Sequence, residues 1–110
     1  MIQTIQSLEE FNSKLSESAG NLFYFSHEKC NVCKVLKPKI YNLLKNEYPK
    51  LKMFYCDTEY YPEIAGQNSV FTVPTILVFF DGKEFFRKSR NIGIDELSSI
   101  LDRPYSIFFD

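Results

Sequence analysis

Hydrophobic residues near the start of the chain recur every three or four positions, which predicts a helix over residues 8–18. Ser7, with Glu10 three positions later, has the pattern of a capping box that begins such a helix. Gly20 and Asn21 are expected to end it, because both residues favour turns over helix interiors.

Two continuous runs of aromatic and apolar residues predict strands that are buried on both faces of a sheet. They are LFYFS at residues 22–26 and KMFYCD at residues 52–57. The segment MIQTI at the start of the chain is expected to form a short additional strand.

The segment after Cys30 alternates apolar residues and lysines at the spacing of an amphipathic helix. Pro38 lies inside this pattern and has no N–H, so the carbonyl of Lys34 must lose its usual partner. Because the apolar period continues beyond Pro38, the helix is expected to bend there and not to end. Pro62 is expected in the first turn of a short helix through Gln67.

A hairpin and a final helix complete the predicted order of elements. In TILVFFDGKEFFRKS, two strand-like runs flank Asp81-Gly82, a dipeptide suited to the positive φ angles of a tight turn. Asp95 is expected to cap a last helix at ELSSIL, and the apolar tail RPYSIFFD is expected to pack back on the domain. The order β-α-β-α-β-α-β-β-α predicts an α/β fold with a mixed sheet, in one domain over residues 1–110.

Composition and charge argue against several classes of function. The 110 residues carry a net charge of −1, which gives no basic surface for nucleic acid or for an anionic membrane. No apolar run approaches the roughly 20 residues of a membrane span, and the N-terminus lacks the pattern of a signal peptide. Three cysteines are too few for a disulfide framework, so we expect a cytoplasmic protein whose neighbouring cysteines are catalytic or bind metal.

Cys30 and Cys33 form a C-x-x-C motif between a buried strand and an amphipathic helix. Cys30 is therefore expected near the helix N-terminus, where free N–H groups, the helix dipole, Lys29 and His27 favour a thiolate. Cys33, one turn further, is expected to keep its proton longer. This setting favours a redox pair in which Cys30 attacks a disulfide and Cys33 resolves the mixed disulfide. Two buried thiols, or half of a zinc site, are the alternatives.

The motif KCNVC, the helical Pro38 and the segment PEIAGQNSVFTVPTILVFFDGKE together resemble the thioredoxin superfamily over essentially the whole chain. The resemblance implies a three-layer α/β/α sandwich, with a mixed sheet of about five strands and about four flanking helices. It implies a thiol–disulfide oxidoreductase that reduces protein disulfides through Cys30 and Cys33, without a cofactor or metal. It also implies that Pro74 is a cis-proline beside the disulfide and that the backbone of Val73 binds an extended substrate segment. The expected partners are protein disulfides and an electron donor like thioredoxin reductase, and the chain is expected to be a monomer or weak dimer.

Four places depart from the family's pattern. Lys29 stands where the family has Trp, and Asn31-Val32 replace Gly-Pro between the cysteines, so the redox potential does not transfer. Tyr24 stands where thioredoxins have a buried Asp that helps to deprotonate the second cysteine, which leaves Glu28 or a water to substitute. Arg90 replaces a Gly at the end of the last strand, where a long cation should change which partners dock.

The third cysteine and two other functions remain open. A buried free thiol is the favoured interpretation of Cys56, ahead of a third redox sulfur or a zinc site with His27, Cys30 and Cys33. One alternative function is a glutaredoxin-like reductase that uses glutathione. Residues 1–20 argue against it, because they supply the extra first strand and helix of thioredoxins. The segment SRNIGIDEL also lacks the paired glycine and acidic residues with which glutaredoxins hold glutathione. The other alternative is a non-catalytic thiol sensor or metal-binding module on the same scaffold.

Overall fold

Strands and helices follow one another in the order that the hydrophobic pattern predicts. The computed structural model describes residues 2–109, so Met1 of the predicted strand MIQTI lies outside the described residues. The strands are β1 Gln3–Thr4, β2 Gly20–Ser26, β3 Lys52–Asp57, β4 Thr75–Phe80 and β5 Lys83–Ser89. The helices are α1 Leu8–Glu17, α2 Asn31–Glu47, α3 Pro62–Gln67 and α4 Ile94–Phe109. Within residues 2–109, no helix has the length and apolar character needed to cross a membrane.

The five strands form one mixed sheet in the order β1-β3-β2-β4-β5. Strand β3 lies parallel to both β1 and β2, whereas β4 runs antiparallel to β2 and β5. Successive side chains of β2 point to opposite faces: Tyr24 joins an apolar cluster with residues of α2 and α4, and Phe25 joins one with residues of α1 and α3. Helices therefore cover both faces, which confirms the three-layer α/β/α sandwich.

The pairing brings four strand ends to one edge of the sheet. Ser26 at the end of β2 pairs with Asp57 at the end of β3. Phe25 pairs with Thr75 at the start of β4, and Thr75 pairs with Ser89 at the end of β5. The segments that follow β2 and β5 and the segment that precedes β4 consequently meet at this edge.

Helix α1, Leu8–Glu17, lies within one residue of the predicted range 8–18, but the residues predicted to end it have another role. The Ser7 hydroxyl accepts a hydrogen bond from the Glu10 N–H at 3.0 Å, while the Glu10 carboxylate accepts one from the Gln6 N–H at 2.7 Å. The prediction that Gly20 and Asn21 end the helix is wrong, since both are buried residues of β2. Gly20 lies where a Cβ would come within 2.7 Å of the Leu51 side chain and 2.8 Å of the Phe109 ring. Close approach of the Leu51 and Phe109 side chains, and not helix termination, explains this glycine.

Helix α4 is longer than the predicted segment ELSSIL. It runs through Pro104 to Phe109, and Asp110 lies outside the described residues. The prediction that Asp95 caps this helix is wrong, because Asp95 lies within its first turn. The carbonyl of Gly93 instead accepts the hydrogen bond from the N–H of Leu97, at 3.0 Å.

The last turns of α4 pack on the domain only in part: Phe109 is half-buried against the core, whereas Ile107 and Phe108 are 66% and 40% exposed. The rings of Phe80 and Phe108 stack with their centroids 5.2 Å apart. The Tyr48 hydroxyl, just after α2, donates to the carbonyl of Ser98 at 2.9 Å and also contacts the Asp102 carboxylate. These contacts hold α4 beside α2 on one face of the sheet.

The turn between β4 and β5 gives a pair of glycine substitutions with opposite expected effects. Asp81 and Gly82 both have positive φ, 54° and 77°, as the Asp-Gly dipeptide predicts. A Cβ would meet nothing within 4 Å at Gly82 or at Gly66 of α3, so only backbone preference differs. Gly82→Ala should lower the free energy of unfolding by about 1 kcal/mol, and Gly66→Ala should raise it by a few tenths to about 1 kcal/mol. Urea unfolding measures both; equal effects would contradict the described turn.

Candidate active site

Cys30 and Cys33 are joined by a disulfide at the N-terminus of α2. Helix α2 begins at Asn31, and Cys30 is its N-cap residue, with extended φ and ψ of −89° and 102°. The Cys30 sulfur accepts a hydrogen bond from the Cys33 N–H, with 3.2 Å between the two atoms. A thiolate formed at Cys30 would therefore be stabilised by this donor and by the positive end of the helix dipole.

The two sulfurs differ in their access to solvent. Cys30 is half-buried, whereas Cys33 is only 1% exposed and packs in the apolar cluster below the helix. An incoming disulfide can thus reach Cys30 first, and Cys33 can react only with a sulfur already bound there. Helix α2 continues through Pro38 to Glu47, so the prediction that this proline does not end the helix is confirmed.

Val73 and Pro74 lie at the same edge of the sheet, just before β4. The peptide bond between them is cis, as the family resemblance implied for Pro74. Val73 is half-exposed and packs, like Cys30, against the cluster that contains Cys33. The Thr75 hydroxyl anchors this segment by donating to the carbonyl of Thr72 at 2.7 Å.

Tyr24 lies directly beneath the cysteine pair and touches it through a hydrogen bond. Its side chain is fully buried, and its hydroxyl donates to the Cys33 carbonyl at 2.7 Å. Burial raises the pKa of Tyr24 well above its ordinary value, with a smaller contribution from the neighbouring Tyr55. Tyr24 is therefore a neutral donor that holds the first turn of α2. The sequence identified the position but not this bond.

A second tyrosine, Tyr55, which is not among the predicted site residues, places another hydroxyl beside Tyr24. Tyr55 is the neighbour of Tyr24 in the β2–β3 register. Its hydroxyl donates to the Glu28 carboxylate at 3.1 Å, and the Lys37 ammonium lies 3.9 Å from its ring centroid. Burial is the main cause that raises the pKa of Tyr55 to about 12. Two sequence signals could have pointed to this group. Tyrosine follows phenylalanine in both LFYFS and KMFYCD, and Lys37 comes four residues after Cys33.

Two further predicted site residues, His27 and Lys29, lie in the loop between β2 and α2. The half-buried His27 accepts a hydrogen bond at Nδ1 from the Lys29 N–H, at 3.3 Å. His27 also lines an open cavity of about 400 Å³ together with Pro62, Phe71 and Val73. Lys29 is exposed and forms no ion pair with any carboxylate of residues 2–109. His27 thus lies beside the segment that carries Val73, and the roles of His27 and Lys29 stay predictions.

Cys56 lies on the opposite face of the sheet from Cys33. Its thiol is 1% exposed and packs in the apolar cluster formed with residues of α1 and α3. Burial raises the pKa of the Cys56 thiol well above its ordinary value. Within residues 2–109, no three His, Cys, Asp or Glu side chains are grouped to hold a metal ion. The geometry supports the buried free thiol and does not bring Cys56 to the disulfide.

Arg90 follows β5 and lies against the segment that carries Val73. Its N–H donates to the Pro74 carbonyl at 2.7 Å, and its Nε donates to the Thr72 hydroxyl at 3.3 Å. Its φ is +67°, in the left-handed region. The structure therefore places this cation at the same edge as the cysteines.

Comparisons with known proteins point to one family. The Thioredoxin family model matches residues 3–103. The thioredoxin-like protein YdfQ of Bacillus subtilis is 30% identical over 107 residues, covering 97% of this chain and 92% of that protein. A thioredoxin of Chlamydia trachomatis is 31% identical over 101 residues, covering 92% and 93%. Among solved structures, oxidised mitochondrial thioredoxin 3 of Saccharomyces cerevisiae superposes with a TM-score of 0.83 at 24% identity, covering 92% and 94% of the two chains.

The buried Tyr24 gives a testable dependence of stability on pH. Tyr24→Phe should lower the free energy of unfolding of the oxidised protein by about 1 kcal/mol at pH 7, because it removes the bond to Cys33. The raised pKa means that tyrosine ionises above about pH 10 in the unfolded chain, while folded Tyr24 stays protonated, so stability falls as the pH rises. The variant should lose about 1 kcal/mol less than the parent protein between pH 10 and pH 11.

Urea unfolding of the oxidised protein at these pH values measures both effects. Tyr60→Phe is the matched control, because Tyr60 is 76% exposed and the substitution removes the same hydroxyl. A Tyr24→Phe variant as stable as the parent at pH 7, with an unchanged alkaline loss, would contradict the buried donor.

Proposed function

The chain belongs to the thioredoxin family and is a thiol–disulfide oxidoreductase, and we propose that it reduces disulfide bonds of protein substrates. Cys30 is the nucleophile and Cys33 the resolving thiol. One observation carries this assignment: the disulfide sits at a helix N-terminus with one sulfur accessible and the other buried. The family works through its own cysteine pair, without a cofactor.

The first step forms a bond between the reduced protein and its substrate. The Cys30 thiolate attacks one sulfur of the substrate disulfide, the substrate S–S bond breaks, and the second substrate sulfur leaves with the electron pair and takes up a proton. The N–H of Cys33 and the dipole of α2 support this step, because they stabilise the attacking thiolate.

The second step releases the product. Cys33, as thiolate, attacks the Cys30 sulfur of the mixed disulfide, and the substrate leaves as its second thiol. The two electrons that reduce the substrate come from the two protein thiols, which end as the disulfide that the structure contains. The Cα atoms of the two cysteines are 5.2 Å apart, so the attack requires no large backbone movement.

The proton of Cys33 needs an acceptor other than Tyr24, since Tyr24 is held neutral and donates its hydrogen bond to a carbonyl. Glu28 remains the proposed substitute, either directly or through water. Its carboxylate accepts a hydrogen bond from the hydroxyl of Tyr55, the strand neighbour of Tyr24.

The substrate segment is proposed to lie extended beside Val73 and Pro74, where backbone pairing would place its disulfide in front of Cys30. Val32 and Phe71 flank this surface with exposed side chains, 66% and 86% accessible. The electron donor is proposed to be an enzyme like thioredoxin reductase. Residues 1–110 are proposed to act as one domain, as a monomer or weak dimer. The proposed location is a reducing cytoplasm.

Removal of the resolving thiol tests this assignment. Cys33→Ser should accumulate mixed disulfides through Cys30, because the serine hydroxyl cannot attack the intermediate. Affinity capture from cells without added thiols, followed by mass spectrometry, should identify covalently bound partners released by a reductant. Cys56→Ala is the matched control and should trap nothing, because it removes a thiol on the other face of the sheet and keeps Cys33 to resolve the intermediate. An empty trap, beside a successful parallel trap with a known thioredoxin, would refute the proposal.

A further inference from the structure

The end of β5 places a cation beside the proposed substrate segment. Ser89, the last residue of β5, pairs with Thr75, so Arg90 follows at the edge where Val73 and Cys30 lie. Two hydrogen bonds fix Arg90 there, from its N–H to the Pro74 carbonyl and from its Nε to the Thr72 hydroxyl. A further contact, 2.8 Å between the hydroxyls of Thr75 and Ser89, ties the two segments together. The guanidinium is thus held one residue away from Val73.

The backbone at Arg90 favours a different residue. Its φ of +67° lies in the region that glycine enters freely and that a side chain with a Cβ enters at a cost. A strained conformation that persists in a structure is a reason to look for a function of the residue that adopts it. A function of the side chain would account for an arginine here, because glycine would provide the same backbone with less strain.

The charge of Arg90 is unpaired within residues 2–109, unlike the charges of its neighbours on β5. Arg87 pairs with Glu84 at 2.7 Å, and Lys88 pairs with Glu96 at 3.4 Å. Arg90 has no carboxylate partner there, and only its Nε forms a side-chain hydrogen bond. The N–H groups of its terminal nitrogens remain available to a ligand.

The acidic residues at this edge do not supply the missing partner. Glu28 accepts from Tyr55, and Asp57 accepts from the N–H groups of Glu59 and Tyr60 at 2.9 Å. Asp57 is the last residue of β3 and Glu59 follows it, and β3 lies three strand positions from β5 in the sheet. That separation is roughly 14 Å at the usual strand spacing, beyond the Debye length of about 8 Å in physiological salt.

We propose that Arg90 is a specificity residue that selects protein substrates with an acidic side chain next to the disulfide to be reduced. A guanidinium binds a carboxylate with two parallel hydrogen bonds, and the two free terminal nitrogens offer that geometry. A substrate strand beside Val73 passes the guanidinium, so a glutamate or aspartate near its cysteine pairs with Arg90 while the sulfur meets Cys30. A pair at the rim of a complex acts mainly on the association rate and weakens with salt. This inference rests on the proposed function, because it concerns the substrates of the same reaction.

Matched peptides test the selectivity. Three synthetic peptides, each with one intramolecular disulfide, carry Glu, Gln or Lys beside the first cysteine. The second-order rate of their reduction by the reduced protein is followed by stopped flow. The Glu peptide should react about two- to fivefold faster than the Gln peptide, and the Lys peptide should be slowest. At about 1 M salt the difference should nearly vanish.

Variants assign the selectivity to the guanidinium. Arg90→Gly should fold at least as stably as the parent, since glycine fits the positive φ, and should reduce the Glu and Gln peptides at equal rates. Arg90→Lys should keep only part of the preference, because it loses the two-pronged geometry. Lys88→Gln, which removes the same charge from a lysine already paired with Glu96, should leave the preference unchanged.

The possible results distinguish a failure of the role proposed for Arg90 from a failure of the proposed reductase function. Equal rates for all three peptides with the parent protein, or a preference that survives in Arg90→Gly, would overturn the role of Arg90 and leave the reductase function standing. If the parent protein reduces none of the peptides and the Cys33→Ser variant traps no partner, the proposed function fails, and the inference fails with it.

Discussion

The complete burial of β2 is the constraint on which the rest of the structure depends. All seven residues from Gly20 to Ser26 are buried, so the strand must have neighbours on both edges and helices on both faces. Its alternating side chains supply both apolar clusters, and its end at Ser26 leaves only a short loop before α2. Cys30 is therefore carried to the N-terminus of a helix that cannot move away without opening the core.

Local patterns were enough to predict most elements of the fold. The dipeptide Asp81-Gly82 requires only its own backbone preference, and the first-turn Pro62 requires only its missing N–H. The failures occurred where a distant part of the chain decides the local structure. At position 20 the side chains of Leu51 and Phe109 leave no room for a Cβ, so this strand residue is a glycine, and a helix-stop signal in the sequence cannot carry that information. The length of α4 likewise depends on partners such as Tyr48, which is about fifty residues away in the sequence.

The chemistry of the site was predictable in its sulfurs and not in its supporting polar groups. C-x-x-C before an amphipathic helix specifies where Cys30 lies, because the helical spacing of apolar residues begins directly after it. The bond from Tyr24 to the Cys33 carbonyl depends on the distance between β2 and α2, and the grouping of Tyr55 with Glu28 and Lys37 depends on the register of two strands. Those distances are tertiary properties. As a result, a tyrosine hydroxyl lies beneath the cysteine pair at Tyr24, where thioredoxins have a buried carboxylate.

Three cysteines allow three disulfide pairings, and the sheet permits only one of them. Cys56 is separated from Cys30 and Cys33 by the layer of strands, with its thiol packed among rings on the far side. A wrong pairing would require sulfurs within about 2 Å of each other, which the folded chain cannot achieve without breaking the sheet. In every reaction cycle, therefore, the mixed disulfide at Cys30 can be attacked from within the protein by Cys33 and not by Cys56. The fold protects the protein from dead-end isomers that would otherwise accumulate with each cycle.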